Sequence, residues 1–138
     1  MYLEHLNLVV RDIQKSLSFY QVVFPHWKIR NKGKSEWYGV ERNWIHFGDD
    51  YQYLTFNDDG TDPNRDLAGH QIGLAHFGYV TLNLDSLMKR LTAAGFEMDT
   101  GGAENKYRKN AYYIDPDGYE IEFIEYLSDN PEERNSEQ

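Results

Sequence analysis

The stretch "DPDGYEIEFIEY", Asp115–Tyr126, decides the fold. It opens with a tight-turn signal, Asp-Pro-Asp-Gly, and continues as an alternating strand. Side chains in a strand alternate faces. One face therefore carries Tyr119, Ile121 and Phe123, and the other carries Glu120, Glu122 and Ile124. The first face is the apolar one and belongs against a helix. The second places a carboxylate in mid-strand, where a solvated edge and a functional site are the competing explanations.

Upstream of it the pattern of one half can be traced. "GLAHFGYVTL" (73–82) reads as a strand, with Phe77 and Tyr79 on the apolar side and His76 and Gly78 on the other. "LDSLMKRLTAAG" reads as a helix with Leu84, Leu87, Met88 and Leu91 on one side and Gly95 as its stop. "FEMDT" (96–100), "NAYYID" (110–115) and "YEIEFIEY" (119–126) complete the half as strands. The first half has the same order. "LEHLNLVV" (3–10) is a strand, Asp12 is the N-cap of a helix "IQKSLSFYQVVF", and Pro25 ends that helix. The strands expected after it are 26–30, an interrupted 35–47, and 51–57. Each half thus reads βαβββ, and the chain is an α+β protein built from an internal repeat. The modules run over residues 1–57 and 73–126, with a polar connection at 58–72. Together they are expected to form one domain, 1–126, followed by a polar tail, 127–138, expected to be mobile.

Composition bounds the function. The chain has 138 residues, 40% of them hydrophobic and 15% aromatic, enough for a core. It has no cysteine, so a disulfide, a zinc–thiolate site and a cysteine nucleophile are excluded. The formal net charge of −9 disfavours nucleic acid and anionic membrane surfaces. No apolar run reaches the roughly 18–20 residues of a membrane span. With no secretory leader pattern, the expected location is the cytoplasm.

The faces turned away from the helices are polar but rich in histidine, tyrosine and small residues instead of lysine. They hold His5, Asn7, Tyr51, Tyr53 and Thr55 in the first half, and His76, Gly78, Glu120 and Glu122 in the second. That is the lining of a cavity. His5 and His76 stand 71 positions apart, at matching places in the two first strands. Either histidine alone reads as a hydrogen-bonded structural residue. The pair stands at repeat-related positions, on faces that in the second half also carry Glu122. Arg108 and Asn110 precede a strand and offer contacts to an anionic substrate group, although solvated loop charges are the plainer reading. Of Tyr112 and Tyr113, one faces the cavity and one the helix.

"EHLNLVVRDIQKSLSFYQ", "HFGYVTLNLDSLMKRLTAAGF" and "YYIDPDGYEIEFIE" together resemble the vicinal-oxygen-chelate superfamily, which includes glyoxalase I, extradiol dioxygenases and bleomycin-resistance proteins. The resemblance covers roughly residues 3–126. It implies paired βαβββ modules whose sheets form a U-shaped cleft holding a divalent metal. The matching ligand positions are His5, Tyr53, His76 and Glu122. Of these, His5, His76 and Glu122 suit Fe(II), Mn(II), Zn(II) or Ni(II). At the fourth position glyoxalase I has a glutamate that also moves a proton. Tyr53, with an ordinary pKa near ~10, is a poor base, so glyoxalase I activity is disfavoured. Extradiol dioxygenases add a tyrosine beside the metal, and Tyr112 matches it. Their further histidine has only His46 and His70 as local candidates. The expected function is a divalent-metal-dependent enzyme acting on a small oxygen-chelating substrate, dioxygenase-like or lyase/isomerase-like. Tyr53 and Tyr112 are its candidate catalytic residues, and Tyr51, Arg108, Asn110 and Tyr113 are expected at the substrate. The alternative is a metal-free sequestering protein of the bleomycin-resistance kind. The resemblance also implies a homodimer.

Overall fold

The computed structural model describes residues 1–137. The chain divides into two compact units, Met1–Pro63 and Asn64–Gln138, and the division falls inside the connection expected at 58–72.

In the first unit, β1 (His5–Val9) leads into α1 (Ile13–Val23), followed by β2 (Lys28–Trp37), β3 (Val40–Gly48) and β4 (Tyr53–Asn57). The strands form one mixed sheet in the order β1-β4-β3-β2. β1 and β4 are parallel, with His5 opposite Tyr53. Parallel neighbours need a crossover, and the segment between them supplies it with α1. Asp12 caps α1 as expected, accepting from the amides of Gln14 (2.8 Å) and Lys15. The helix buries Ser16, Leu17, Phe19, Tyr20 and Val23. Beneath it lie Leu8, Val10, Phe47, Leu54 and Phe56, and the Tyr20 and Phe56 rings meet at 5.2 Å.

The interrupted run 35–47 is a hairpin. Trp37 pairs with Val40 across Tyr38 (φ 49°) and Gly39 (φ 81°), a two-residue loop of the primed type that fits strand twist. β2 also continues through 31–34, where no strand is expected from sequence. It is an edge strand, exposed at almost every residue, so it carries no apolar alternation to read.

The second unit contains β5 (Phe77–Val80), α2 (Leu84–Ala93), β6 (Arg108–Ile114), β7 (Glu120–Tyr126) and a one-turn α3 (Pro131–Arg134). Its sheet has three strands in the order β5-β7-β6, with β5 parallel and β6 antiparallel to β7. The strand expected at 96–100 is reduced to a single bridge, Thr100 to Tyr112. Two 2.8 Å backbone bonds hold that bridge before the chain turns away at Gly101–Gly102. This half is therefore βαββ with a rudiment of the third strand.

α2 is capped by the Asn83 side chain, and the Glu125 carboxylate accepts from the Leu84 amide at 2.9 Å. Leu84, Leu87 and Leu91 are buried together with Phe77, Ala111, Tyr113, Ile121 and Phe123. β7 thus buries its Ile121/Phe123 face and leaves Glu120, Glu122 and Ile124 half-buried on the other. The turn before it is organised by the buried Asp115. Its Oδ1 accepts from the amides of Asp117 (2.8 Å) and Tyr119 (2.9 Å), while Gly118 takes up φ 83°. In the tail, expected from composition to be mobile, Asn130 caps α3 and Arg134 lies 3.9 Å over the Tyr126 ring. Among the described residues no helix is long and apolar enough to cross a membrane.

Candidate functional site

The polar face of the second sheet gathers most of the expected site. On β6, Arg108, Asn110 and Tyr112 point to this face, while Ala111 and Tyr113 point into the core. Register sets Tyr112 opposite Glu122 and Asn110 opposite Ile124. Glu122 Oε1 accepts from the Tyr112 hydroxyl at 2.9 Å and from Asn110 Nδ2 at 2.5 Å. Its other oxygen, Oε2, faces His76 Nε2 at 3.2 Å. His76 Nδ1 lies 3.6 Å from Glu120 Oε1, and its ring meets Tyr112 edge-on at 5.6 Å. Glu120, on the same face two residues before Glu122, is a site residue that the alternation already signals.

This carboxylate is fixed in one orientation. Two donors hold Oε1, and Oε2 is turned toward an imidazole. Burial pushes the Tyr112 phenol up to about 12, helped by its hydrogen bond to Glu122 and by the charges of Glu122 and Glu120, with Arg108 opposing. Tyr112 is therefore a hydrogen-bond donor at neutral pH.

The first sheet presents a second set on its face away from α1. His5 stacks on Tyr53 with ring centres 4.6 Å apart and planes 10° from parallel. His46 meets the same Tyr53 at 4.6 Å, and Trp44 lies 4.9 Å from His46. Arg30 places its guanidinium 4.6 Å over the Tyr53 ring, a contact that β2's lack of alternation hid from the sequence. His5 Nδ1 is 2.9 Å from Glu4 Oε1. Burial raises the Tyr53 phenol, as does the Glu4 charge, against the pull of Arg30. Burial lowers His46, followed by the charges of Arg30 and His5, against Glu4.

Two expected substrate residues, Tyr113 and Tyr51, lie elsewhere, and a third, Arg108, shares the polar face but is already engaged. Tyr113 is 1% exposed, packed against Phe123 at 5.9 Å beneath α2, and is a core residue. Strand parity gives the cavity-side role to Tyr112. Tyr51 is 75% exposed in the turn before β4 and makes no ring contact among those described. Arg108 is engaged by the tail, donating from Nη1 to the carbonyls of Arg134 (3.2 Å) and Ser136 (2.8 Å).

The donor set can be tested against a divalent ion. At bond lengths of about 2.1 Å, two ligands at right angles stand roughly 3 Å apart. The 3.2 Å between His76 Nε2 and Glu122 Oε2 fits that spacing. The hydrogen bonds on Oε1 are the outer support that ligating carboxylates carry. Among the described residues no group of three or more histidine, aspartate and glutamate side chains is gathered as a ready cluster. What the second unit shows is a two-donor arrangement.

Comparison with known proteins places this architecture. A glyoxalase/bleomycin resistance protein/dioxygenase domain from Frankia sp. EAN1pec superposes with a TM-score of 0.73 at 21% identity, covering 91% of this chain and 98% of that one. The glyoxalase family protein from Enterococcus faecalis gives 0.72 at 16% identity, covering 89% and 96%. A variant of the fosfomycin resistance protein FosX from Listeria monocytogenes, complexed with Mn(II) and 1S,2S-dihydroxypropylphosphonic acid, gives 0.72 at 18% identity, covering 98% of both chains. At these identities the likeness is one of fold. The model of the Glyoxalase/Bleomycin resistance protein/Dioxygenase superfamily matches residues 2–123, nearly the whole chain, and the chain belongs to that superfamily.

Proposed function

We propose that this protein is a divalent-metal-dependent enzyme of the vicinal-oxygen-chelate type, acting on a small substrate with two neighbouring oxygens. His76 and Glu122 would hold the ion. The observation that carries this reading is the pairing of His76 Nε2 and Glu122 Oε2 at 3.2 Å while Tyr112 and Asn110 fix the opposite oxygen. The Mn(II) bound by the FosX relative supports it. A divalent ion there would supply Lewis-acid stabilisation of an oxyanion.

The chain's own residues set the rest. Tyr112 holds its proton at neutral pH and orients Glu122. Tyr53 also keeps its proton, so the first sheet offers no carboxylate base at that position. We therefore favour dioxygenase-like or lyase/isomerase-like chemistry over glyoxalase I activity. The reading carries one functional domain over 1–126, a homodimer and a cytoplasmic location; light scattering and cell fractionation test the last two. A second reading, a metal-free binding protein for a flat ligand, rests on the aromatic row Trp44–His46–Tyr53–His5.

Titration of chelator-stripped protein with Mn(II), followed by electron paramagnetic resonance, tests the reading. One equivalent should bind, and His76→Ala and Glu122→Ala should each lose at least 100-fold in affinity. Unchanged binding in both variants, or none in the parent, overturns it in favour of the binder.

A further inference from the structure

The second unit contains a cavity of about 450 Å³ on its polar face. Its walls include Gly102, Arg108, Asn110, Tyr112 and Glu122, and its rim includes Glu137. Arg108 and Tyr112 stand four positions apart on β6, so the cationic end lies about 13 Å along the strand from the Glu122 end.

At the cationic end Arg108 is occupied by the protein itself. Its guanidinium donates to the carbonyls of Arg134 (3.2 Å) and Ser136 (2.8 Å), and Nη2 donates to Glu137 Oε2 at 3.2 Å. Asn105 Nδ2 adds a 3.0 Å bond to the Ser136 carbonyl, and Arg134 anchors the segment on Tyr126. The Arg108 side chain is 19% exposed, whereas that of Glu137 is 89% exposed. A guanidinium inside a cavity is thus met by oxygens of a segment held at its surface. The ion pair with the exposed Glu137 is weak, and an anion can compete with it and with the two carbonyls for the guanidinium. A guanidinium in a partly dry cavity binds carboxylate and phosphate oxygens well.

We propose that Arg108 is the receptor for an anionic group of the ligand, and that the segment Arg134–Glu137 is an internal competitor that closes this end of the cavity until the anion displaces it. The proposal rests on the reading that the ligand lies against Glu122, and it extends that reading to the ligand's charge and to the segment controlling its entry. A ligand meeting a guanidinium already engaged binds more weakly by the fraction of time the segment is open. Competition is also reciprocal: whatever the segment takes from anion affinity, the anion takes from the segment's order.

The test uses inorganic phosphate as probe on metal-free protein, so it does not depend on the metal reading. Calorimetry compares the parent chain, a chain ending at Glu133, and Arg108→Gln. Hydrogen exchange reads the amides of 134–137 with and without phosphate. Shortening should tighten phosphate binding about tenfold, and Arg108→Gln should abolish it. Phosphate should speed exchange in the segment. Equal affinity in the parent and shortened chains, binding that survives Arg108→Gln, or exchange indifferent to phosphate would each overturn the proposal. Should Mn(II) fail to bind while these results hold, the metal reading falls and the anion receptor stands.

Discussion

The Tyr112 hydroxyl donates to Glu122 Oε1 at 2.9 Å, across the directly opposed pair that β6 and β7 make at these positions. Because both residues sit on paired strands, their separation is set by backbone register. Tyr112→Phe removes the donor without changing the fold. Glu122 Oε1 then keeps only Asn110, and the carboxylate swings more freely. Loss of such outer support costs about 10- to 100-fold in metal affinity. Mn(II) titration of Tyr112→Phe should show a fall in that range, with thermal unfolding nearly unchanged. Parent-like affinity would remove Tyr112 from the site.

Phe123 and Glu122 are neighbours in sequence with opposite duties. Phe123 is 1% exposed beneath α2 and touches Tyr113. Phe123→Ala should cost about 3–5 kcal/mol in urea unfolding, the range for emptying an aromatic core site. Glu122→Gln should cost far less, since its face is only half-buried and the amide oxygen still accepts from Tyr112. Similar losses in both variants would mean that the polar face belongs to the core.

Asp115 holds the turn whose sequence signals this strand. Its buried carboxylate gathers the amides of Asp117 and Tyr119. Asp115→Ala strands both donors and should destabilise by about 2–4 kcal/mol, each unsatisfied buried group costing ~1–3 kcal/mol with partial relief from water. Asp115→Asn keeps an acceptor and should recover most of that loss. A variant pair with equal stabilities would show that the turn is set by Pro116 and Gly118 alone.

The reach of sequence reasoning follows from where side chains alternate. Asp12 and Asn83 cap their helices 71 positions apart, the same spacing as His5 and His76, so the repeat is legible in the order of residues alone. Burial alternates along β7 from Glu120 to Ile124, and its faces read correctly there. β2 is exposed at almost every residue, which leaves its extent without a signal in the sequence. Register has no signal either. His5 stands directly opposite Tyr53, whereas Glu122 stands opposite Gly78 and reaches His76 diagonally. Spacing along the chain suggests that the two halves pair alike; the ladders show a two-residue difference. Tyr112 and Tyr113 separate by strand parity, which needs one known face to anchor it. The contacts of Arg108 with the tail join residues 26 to 29 positions apart by side chain and carbonyl, a pairing with no periodic signature.

His46 gives the pH prediction. Burial lowers its pKa below 6.5, and the positive charges of Arg30 and His5 lower it further. The folded protein therefore resists protonation there more than the unfolded chain does. Between the folded value and 6.5 the unfolded state binds more protons, so stability rises with pH. This contribution is fully present above 6.5 and is lost as pH falls through the folded value. Urea unfolding at about pH 7.5 and about pH 5 brackets the window in which an ordinary histidine titrates. His46→Gln cannot gain the proton, so its stability should drop less between the two conditions than that of the parent. All other titrating groups are common to both proteins and cancel in the comparison. Parallel losses in the two proteins would show that His46 charges as readily in the fold as outside it, and that neither its burial nor the Arg30 charge holds its proton off.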